Sequence, residues 1–129
     1  MKFGIVGLGR MGGNLALQAL EKDHEVVGYS KSGEKKEFAD AGVEFADSLS
    51  GLVEALPSPR VVFVYVPAGE PTEGTVNGLG EDLEAGDVVV EAGNSHWEDS
   101  KRRYAKLRER GIHFLDCGTS GGVDGARRG

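Results

Sequence analysis

Short apolar runs alternate with longer amphipathic segments along the whole chain. Two runs, 61–66 and 88–90, are apolar without alternation, which is typical of central parallel strands covered by helices on both faces. Strands are predicted over 2–6, 25–29, 43–46, 61–66, 87–92 and 112–117. This order of short and long segments predicts βαβ units on a parallel sheet, with the fourth and fifth strands near its middle. We therefore expect a single, doubly wound α/β domain over residues 1–129.

Helical spacing of apolar residues predicts a helix between each pair of strands. The first helix has an apolar face formed by Leu8, Met11, Leu15, Ala16, Ala19 and Leu20. Further helices are predicted over 34–41, 48–56 and 96–110, and a weak one over 71–79, where two glycines interrupt the pattern. In the last helix, Asp99 and Arg103 stand four residues apart and are expected to pair on its solvent face.

Composition and charge narrow the possible partners. The chain has 129 residues, and 15 Lys and Arg against 21 Asp and Glu give a net charge of −6, which argues against a nucleic-acid or membrane-surface partner. No apolar run approaches the roughly 20 residues of a membrane span, and the amino terminus does not read as a signal peptide. Cys117 is the single cysteine, and the histidines show no metal-ligand spacing. We therefore expect a cytoplasmic protein without a metal site.

The most specific motif is Gly7-Leu8-Gly9-Arg10-Met11-Gly12, a G-x-G-x-x-G sequence between the first strand and the first helix. In such a motif Gly7 allows the tight turn, Gly9 lets the backbone approach a pyrophosphate, and Gly12 permits close packing of helix on strand. The helix N-terminus then directs its partial positive charge at the phosphates. A glycine-rich turn without a ligand is the alternative. The position of the motif favours a dinucleotide-binding, Rossmann-type domain.

The residues after the second strand bear on the choice of cofactor. An NAD-binding domain of this type expects Asp or Glu there, about 20 residues beyond the glycines, to bind the ribose hydroxyls. Ser30 occupies that position, Lys31 and Ser32 follow, and Lys35 and Lys36 come shortly after. These residues offer hydroxyl and ammonium donors to a 2′-phosphate. We therefore expect NADP rather than NAD, with a solvated basic turn as the alternative.

Small and hydrogen-bonding residues follow the last three strands. They occupy 67–69, 93–95 and 118–122, and ligands of doubly wound sheets bind outside the carboxyl ends of the strands. Asn94 and the Ser-Gly-Gly sequence at 120–122 suit close approach of a nicotinamide and a polyhydroxylated or phosphorylated substrate. For 120–122 an ordinary turn is an equally open reading.

These motifs together resemble the N-terminal domain of the 6-phosphogluconate dehydrogenases, in their shorter-chain branch, within the β-hydroxyacid dehydrogenase superfamily. The resemblance rests on 7–12, 66–69, 93–95 and 118–129. It implies that residues 7–12 bind the pyrophosphate. The adenosine ribose and its phosphate would contact Ser30, Lys31 and Ser32, and the nicotinamide half would contact Val66, Pro67 and Ala68. It further implies that Asn94 contacts cofactor and substrate, and that 6-phosphogluconate is bound by Ser120, Gly121 and Gly122.

The resemblance also implies a reaction. In this family the 3-hydroxyl is oxidised by hydride transfer to NADP, and loss of carbon dioxide then gives ribulose 5-phosphate, a step of the pentose phosphate pathway and of gluconate utilization. A lysine base, a glutamate acid and a helical domain that forms the homo-oligomer interface are expected beyond Gly129. The 129 residues alone are therefore expected to bind the cofactor without turnover. Another β-hydroxyacid dehydrogenase and a non-catalytic NADP-sensing module stay open as alternatives.

Overall fold

The computed structural model describes residues 1–66, 70–92, 97–117 and 122–128, with the backbone alone at 70–72, 97–100 and 122–124. Strands and helices alternate in the order β1 (Lys2–Val6), α1 (Arg10–Glu21), β2 (Glu25–Tyr29), α2 (Lys36–Ala41), β3 (Glu44–Phe45), α3 (Leu49–Glu54), β4 (Val61–Val64), α4 (Glu70–Asp82), β5 (Val88–Glu91), α5 (Trp97–Arg108), β6 (His113–Asp116) and α6 (Gly122–Arg128). None of the helices in these described ranges is long and apolar enough to cross a membrane.

The strands form one parallel sheet in the order β3-β2-β1-β4-β5-β6. The strand order reverses between β1 and β4, so the predicted doubly wound α/β fold is confirmed. β4 lies in the middle as predicted, but its central partner is β1. The expectation that β5 is also central is wrong, because β5 is second from the edge. A strand with one neighbour on each side and helices on both faces is fully covered without being central.

Helices cover both faces of the sheet. On one face α1 and α2 pack over a cluster that includes Phe3, Ile5, Leu8, Ala16, Val26 and Phe38. On the other face α3, α4 and α5 pack over a larger cluster that includes Leu52, Val62, Val64, Val76, Leu79, Val89 and Leu107. Burial of each large aliphatic side chain stabilises the fold by about 1.5–3 kcal/mol relative to its exposure. The two clusters therefore hold β1 and β4 firmly in place, together with the loops that follow their carboxyl ends.

Two helices differ from the sequence prediction. α4 has 13 residues and continues to Asp82, beyond the weak helix predicted over 71–79. α6 was not predicted; it packs on α1, where Arg127 makes a two-pronged ion pair with Glu21 at 2.9 and 2.5 Å. The pKa of Glu21 is lowered, first by the hydrogen bond from Arg127. This exposed pair joins the last described helix to the first.

Arg103 of α5 also departs from its predicted place. Its side chain is 2% exposed, and its Nε donates to Glu73 Oε2 of α4 at 2.8 Å. Arg102 donates to the other carboxylate oxygen of Glu73 at 3.1 Å. The prediction that Arg103 lies on the solvent face of α5 is therefore wrong, because α4 packs against that side of the helix.

Candidate dinucleotide-binding site

A cleft of about 700 Å³ opens at the carboxyl edge of the sheet, where the strand order reverses. The register of the sheet produces this meeting point, because Val6 pairs with Tyr29 on one side and with Val64 on the other. The cleft is lined by residues of the loops after β1, β2 and β4 and by parts of α3 and α4, namely Val6, Gly7, Leu8, Gly9, Tyr29, Ser30, Lys31, Ser32, Leu49, Tyr65, Val66, Gly74 and Thr75.

Two glycines of the motif are required by the backbone itself. Gly7 has φ +93°, and its amide donates to the Tyr29 carbonyl at 2.9 Å. A Cβ at Gly7 would overlap the Tyr65 carbonyl, and one at Gly12 would overlap the Gly7 carbonyl. These positions therefore exclude larger residues whether or not a ligand is bound. Gly12 lets α1 pack closely against the loop between β1 and α1 and against Tyr65, which follows β4.

Gly9 differs from both, because a Cβ there would meet nothing within 4 Å. It lines the cleft and is the N-cap of α1, without a side-chain cap and without an acidic residue in the first turn. The first amides of a helix lack partners within the helix, and the N-terminus carries a partial positive charge. Open space next to uncapped amides is the geometry that accepts an anionic group such as a pyrophosphate.

Ser30, Lys31 and Ser32 form a compact turn beside this loop. Ser30 Oγ and Ser32 Oγ are 2.9 Å apart, and the Gly33 amide donates to the Ser30 carbonyl at 3.0 Å. Ser30 and Lys31 also line a second cavity of about 300 Å³, which extends to Phe45 and Ala46 around β3. Ser30 and Lys31 thus line both cavities, and Glu34 and Asp47 also line the second one.

The opposite wall of the cleft is formed by Tyr65 and Val66. Burial raises the pKa of Tyr65, and the negative charge of a Cys117 thiolate would raise it further, so the phenol stays protonated at neutral pH. It can donate a hydrogen bond into the cleft but is no base. Val66 is the one predicted nicotinamide contact among the described residues.

The remaining predicted site residues divide into two groups. Arg10 and Met11 form the first turn of α1, are exposed and half-buried, and do not line the cleft. Gly122 begins α6. The other predicted contacts lie outside the described residues, namely Pro67, Ala68, Asn94, Ser120 and Gly121.

Several lining residues were missed from the sequence. Leu49, Tyr65, Gly74 and Thr75 reach the cleft from α3, the end of β4 and α4. Tyr65 had a readable signal, since it directly follows a central strand at the edge where ligands bind. Leu49 and Gly74 had none, because their approach depends on how α3 and α4 pack.

The fold and the site together define a class. The sheet is parallel and doubly wound, and a glycine loop with an uncapped helix N-terminus lines a cleft at its switch point. This arrangement is typical of a dinucleotide-binding domain. Comparison with known proteins agrees. The chain belongs to the family described as the NAD binding domain of 6-phosphogluconate dehydrogenase, whose family model matches residues 2–129.

Individual relatives of the chain are named as 6-phosphogluconate dehydrogenases. The chain is 43% identical over 130 residues to the NAD(+)-dependent, decarboxylating 6-phosphogluconate dehydrogenase of Haloferax volcanii, covering 100% of this chain and 42% of that protein. It is 38% identical to decarboxylating 6-phosphogluconate dehydrogenase 1 of Saccharomyces cerevisiae, covering 98% of this chain and 27% of that protein. The chain therefore spans less than half the length of these relatives.

A solved structure confirms the fold. The 6-phosphogluconate dehydrogenase of Plasmodium falciparum superposes with a TM-score of 0.88 at 27% identity, covering 100% of this chain and 29% of that one. That protein was solved in its apo form, with its cofactor NADP+ and with its substrate 6-phosphogluconate.

Proposed function

We propose that these 129 residues bind NADP as the cofactor domain of a decarboxylating 6-phosphogluconate dehydrogenase. The observation that carries the proposal is Gly9, where an uncapped helix N-terminus meets open space inside the cleft. A dinucleotide pyrophosphate would lie against the amides of this turn, with its adenosine half toward Ser30 and its nicotinamide half toward Tyr65 and Val66. When bound, the cofactor supplies the hydride acceptor.

The choice of NADP rests on the end of β2. Ser30, Lys31 and Ser32 offer two hydroxyls and an ammonium group, and the aspartate or glutamate that commonly holds the free ribose hydroxyls of NAD is absent from these three positions. Two relatives are nevertheless named as NAD(+)-dependent, from Haloferax volcanii and Bacillus subtilis. NAD is thus the competing assignment, and the two cofactors must be compared directly.

The substrate proposal rests on the family. Relatives are named as decarboxylating 6-phosphogluconate dehydrogenases, and the Plasmodium falciparum protein was solved with 6-phosphogluconate. In this chain Asn94, Ser120, Gly121 and Gly122 would contact that substrate. Oxidation of the 3-hydroxyl and loss of carbon dioxide would require a base and an acid from the remaining length that the relatives have.

Calorimetric titration of the chain with NADP and NAD tests the cofactor assignment. We expect tighter binding of NADP. Lys31→Ala should weaken NADP by about 10- to 100-fold and leave NAD unchanged, because a charge-assisted hydrogen bond to phosphate contributes roughly 1.5–3 kcal/mol. Lys101→Ala, a change at an exposed lysine of α5, is the matched control. Equal affinities, or tighter NAD, would contradict the assignment.

A further inference from the structure

Lys35 links the two loops that form the cofactor cleft. Its Nζ donates to the backbone carbonyl of Leu8 at 2.9 Å, across 27 positions of sequence. The bond is partly buried, and Lys35 itself is half-buried while Lys31 is exposed. The sequence suggested Lys35 as one more ammonium donor for a 2′-phosphate, whereas here its ammonium group is bonded to the glycine-rich loop.

The start of α2 fixes Lys35 in this place. Lys35 is the residue before α2, and its own carbonyl accepts from the amides of Phe38 and Ala39 at 3.1 and 3.0 Å. Phe38 is buried, and its ring occupies the space that a Cβ at Gly13 of α1 would need. The contact between Phe38 and Gly13 therefore holds α2 against α1, and the Lys35 side chain extends from this joint to the loop.

The accepting carbonyl belongs to a peptide that matters for phosphate binding. The Leu8 carbonyl and the Gly9 amide are parts of one planar trans peptide, so they point in opposite directions. Leu8 is 1% exposed, and Leu8 and Gly9 line the cleft while Lys35 does not. The bond from Lys35 holds the carbonyl toward α2, and the Gly9 N–H is thereby turned the other way.

We propose that Lys35 is a positioning residue for the pyrophosphate. Its bond to Leu8 fixes the peptide that presents the Gly9 N–H, and its positive charge stands behind the loop, on the side away from the cleft. The inference rests on the proposed dinucleotide site and adds a role distinct from that of Lys31. Because NAD and NADP share the pyrophosphate, loss of Lys35 affects both cofactors alike, whereas loss of Lys31 affects NADP alone.

Calorimetric titrations of Lys35→Met with NADP, NAD and adenosine 2′-phosphate test this role. Both dinucleotides should weaken by the same factor, about tenfold, while adenosine 2′-phosphate, which has no pyrophosphate, binds as to the wild type. Lys35→Arg should restore most of the affinity, because its guanidinium donates to the same carbonyl. Lys22→Met, at an exposed lysine that ends α1, should leave all three affinities unchanged.

The outcomes separate the alternatives. A loss confined to NADP and adenosine 2′-phosphate would make Lys35 a direct ligand of the 2′-phosphate and overturn the proposal, and so would unchanged binding of both dinucleotides. Wild-type protein that binds neither dinucleotide would overturn the proposed function itself. If Lys35→Met does not fold, judged by circular dichroism, Lys35→Gln is measured in its place with the same expectation, since its shorter side chain cannot reach the carbonyl in the same way.

Discussion

Glycines within a single motif serve different physical purposes. Gly7 and Gly12 are fixed by neighbouring backbone, since a Cβ at either would overlap a carbonyl oxygen. Gly9 has open space around its Cβ position and lines the cleft. Gly7 and Gly12 are therefore needed for the fold of the loop, whereas Gly9 leaves room for the proposed pyrophosphate.

This division predicts that alanine substitutions at the two kinds of glycine destabilise the protein to different extents. Gly12→Ala should destabilise the protein by at least about 2 kcal/mol, because the loop must move to relieve an overlap with backbone. Gly9→Ala should change the free energy of unfolding by less than about 1 kcal/mol, the cost of a poorer N-cap. Urea unfolding followed by circular dichroism measures both. Equal losses for the two variants would contradict the roles assigned here.

At the residue scale, the sequence predicts what depends on local backbone. The first half of the glycine motif, residues 7–9, and the Ser30-Lys31-Ser32 turn line the cleft, because both directly follow strands whose positions are set by their apolar runs. The bond from Lys35 to Leu8 could not be predicted, since it depends on the packing of Phe38 against Gly13. Contacts between elements are not encoded in local pattern.

At the element scale, α4 shows why helix propensity alone misleads. Gly74 and Gly78 each cost the helix about 1 kcal/mol relative to alanine, which favours a weak, interrupted helix. In the fold, a Cβ at Gly78 would lie 3.0 Å from Leu49, and one at Gly80 would lie 2.9 Å from Leu107. Glycine thus lets α4 approach α3 and α5 closely, and the burial of Val76 and Leu79 outweighs the intrinsic cost.

The contact between α4 and α5 predicts a pH dependence of stability. Burial tends to raise the pKa of Glu73, but hydrogen bonds and charge from Arg103 and Arg102 outweigh it and hold the pKa below its ordinary value of 4.5. Because the folded-state pKa is the lower one, the stabilisation is present above pH 4.5 and is lost as pH falls through the folded-state value.

Glu73→Gln should therefore lower the free energy of unfolding by about 2 kcal/mol at pH 7, since it removes the negative charge that contacts the buried guanidinium of Arg103. The difference from wild type should shrink as the pH falls below 4.5 and through the lowered pKa of Glu73, because the wild-type carboxylate is then protonated. Urea unfolding between pH 3 and pH 7 measures it, with Glu109→Gln, at an exposed glutamate directly after α5, as control. A constant difference across that range would contradict the account.

At the scale of the whole molecule, the doubly wound architecture could be predicted because the four inner strands, β2, β1, β4 and β5, are largely buried, whereas the edge strands β3 and β6 are more exposed. Such burial leaves short apolar runs that can be recognised one by one. All six strands occur where these runs are: β1 and β2 have the predicted bounds, and the other four are each two residues shorter. α6 could not be predicted from its glycine-rich segment. It packs on α1 and pairs Arg127 with Glu21, a partner 106 positions away.

The proposed function predicts that the 129 residues bind the cofactor but do not catalyse the reaction, because the general base is expected in the additional length of the relatives. The 129 residues, given NADP and excess 6-phosphogluconate, should form no NADPH above background. Burial keeps the Tyr65 phenol protonated, and Asn94 and Ser120 carry no group that ionises near neutral pH, so none of them can serve as general base. Absorbance of NADPH with concentrated protein measures turnover. Cofactor-dependent turnover by rigorously pure protein would show that these residues include their own base.

The central claim is that the open space at Gly9 is where a dinucleotide pyrophosphate binds. Calorimetric titration of NADP into the wild-type chain and into Gly9→Val tests it most directly, with circular dichroism of both. We predict saturable one-to-one binding by the wild type and none by Gly9→Val, whose spectrum should be native-like because Gly9 lines the cleft and a Cβ there meets nothing within 4 Å. A folded Gly9→Val protein that binds NADP as tightly as the wild type would contradict the claim.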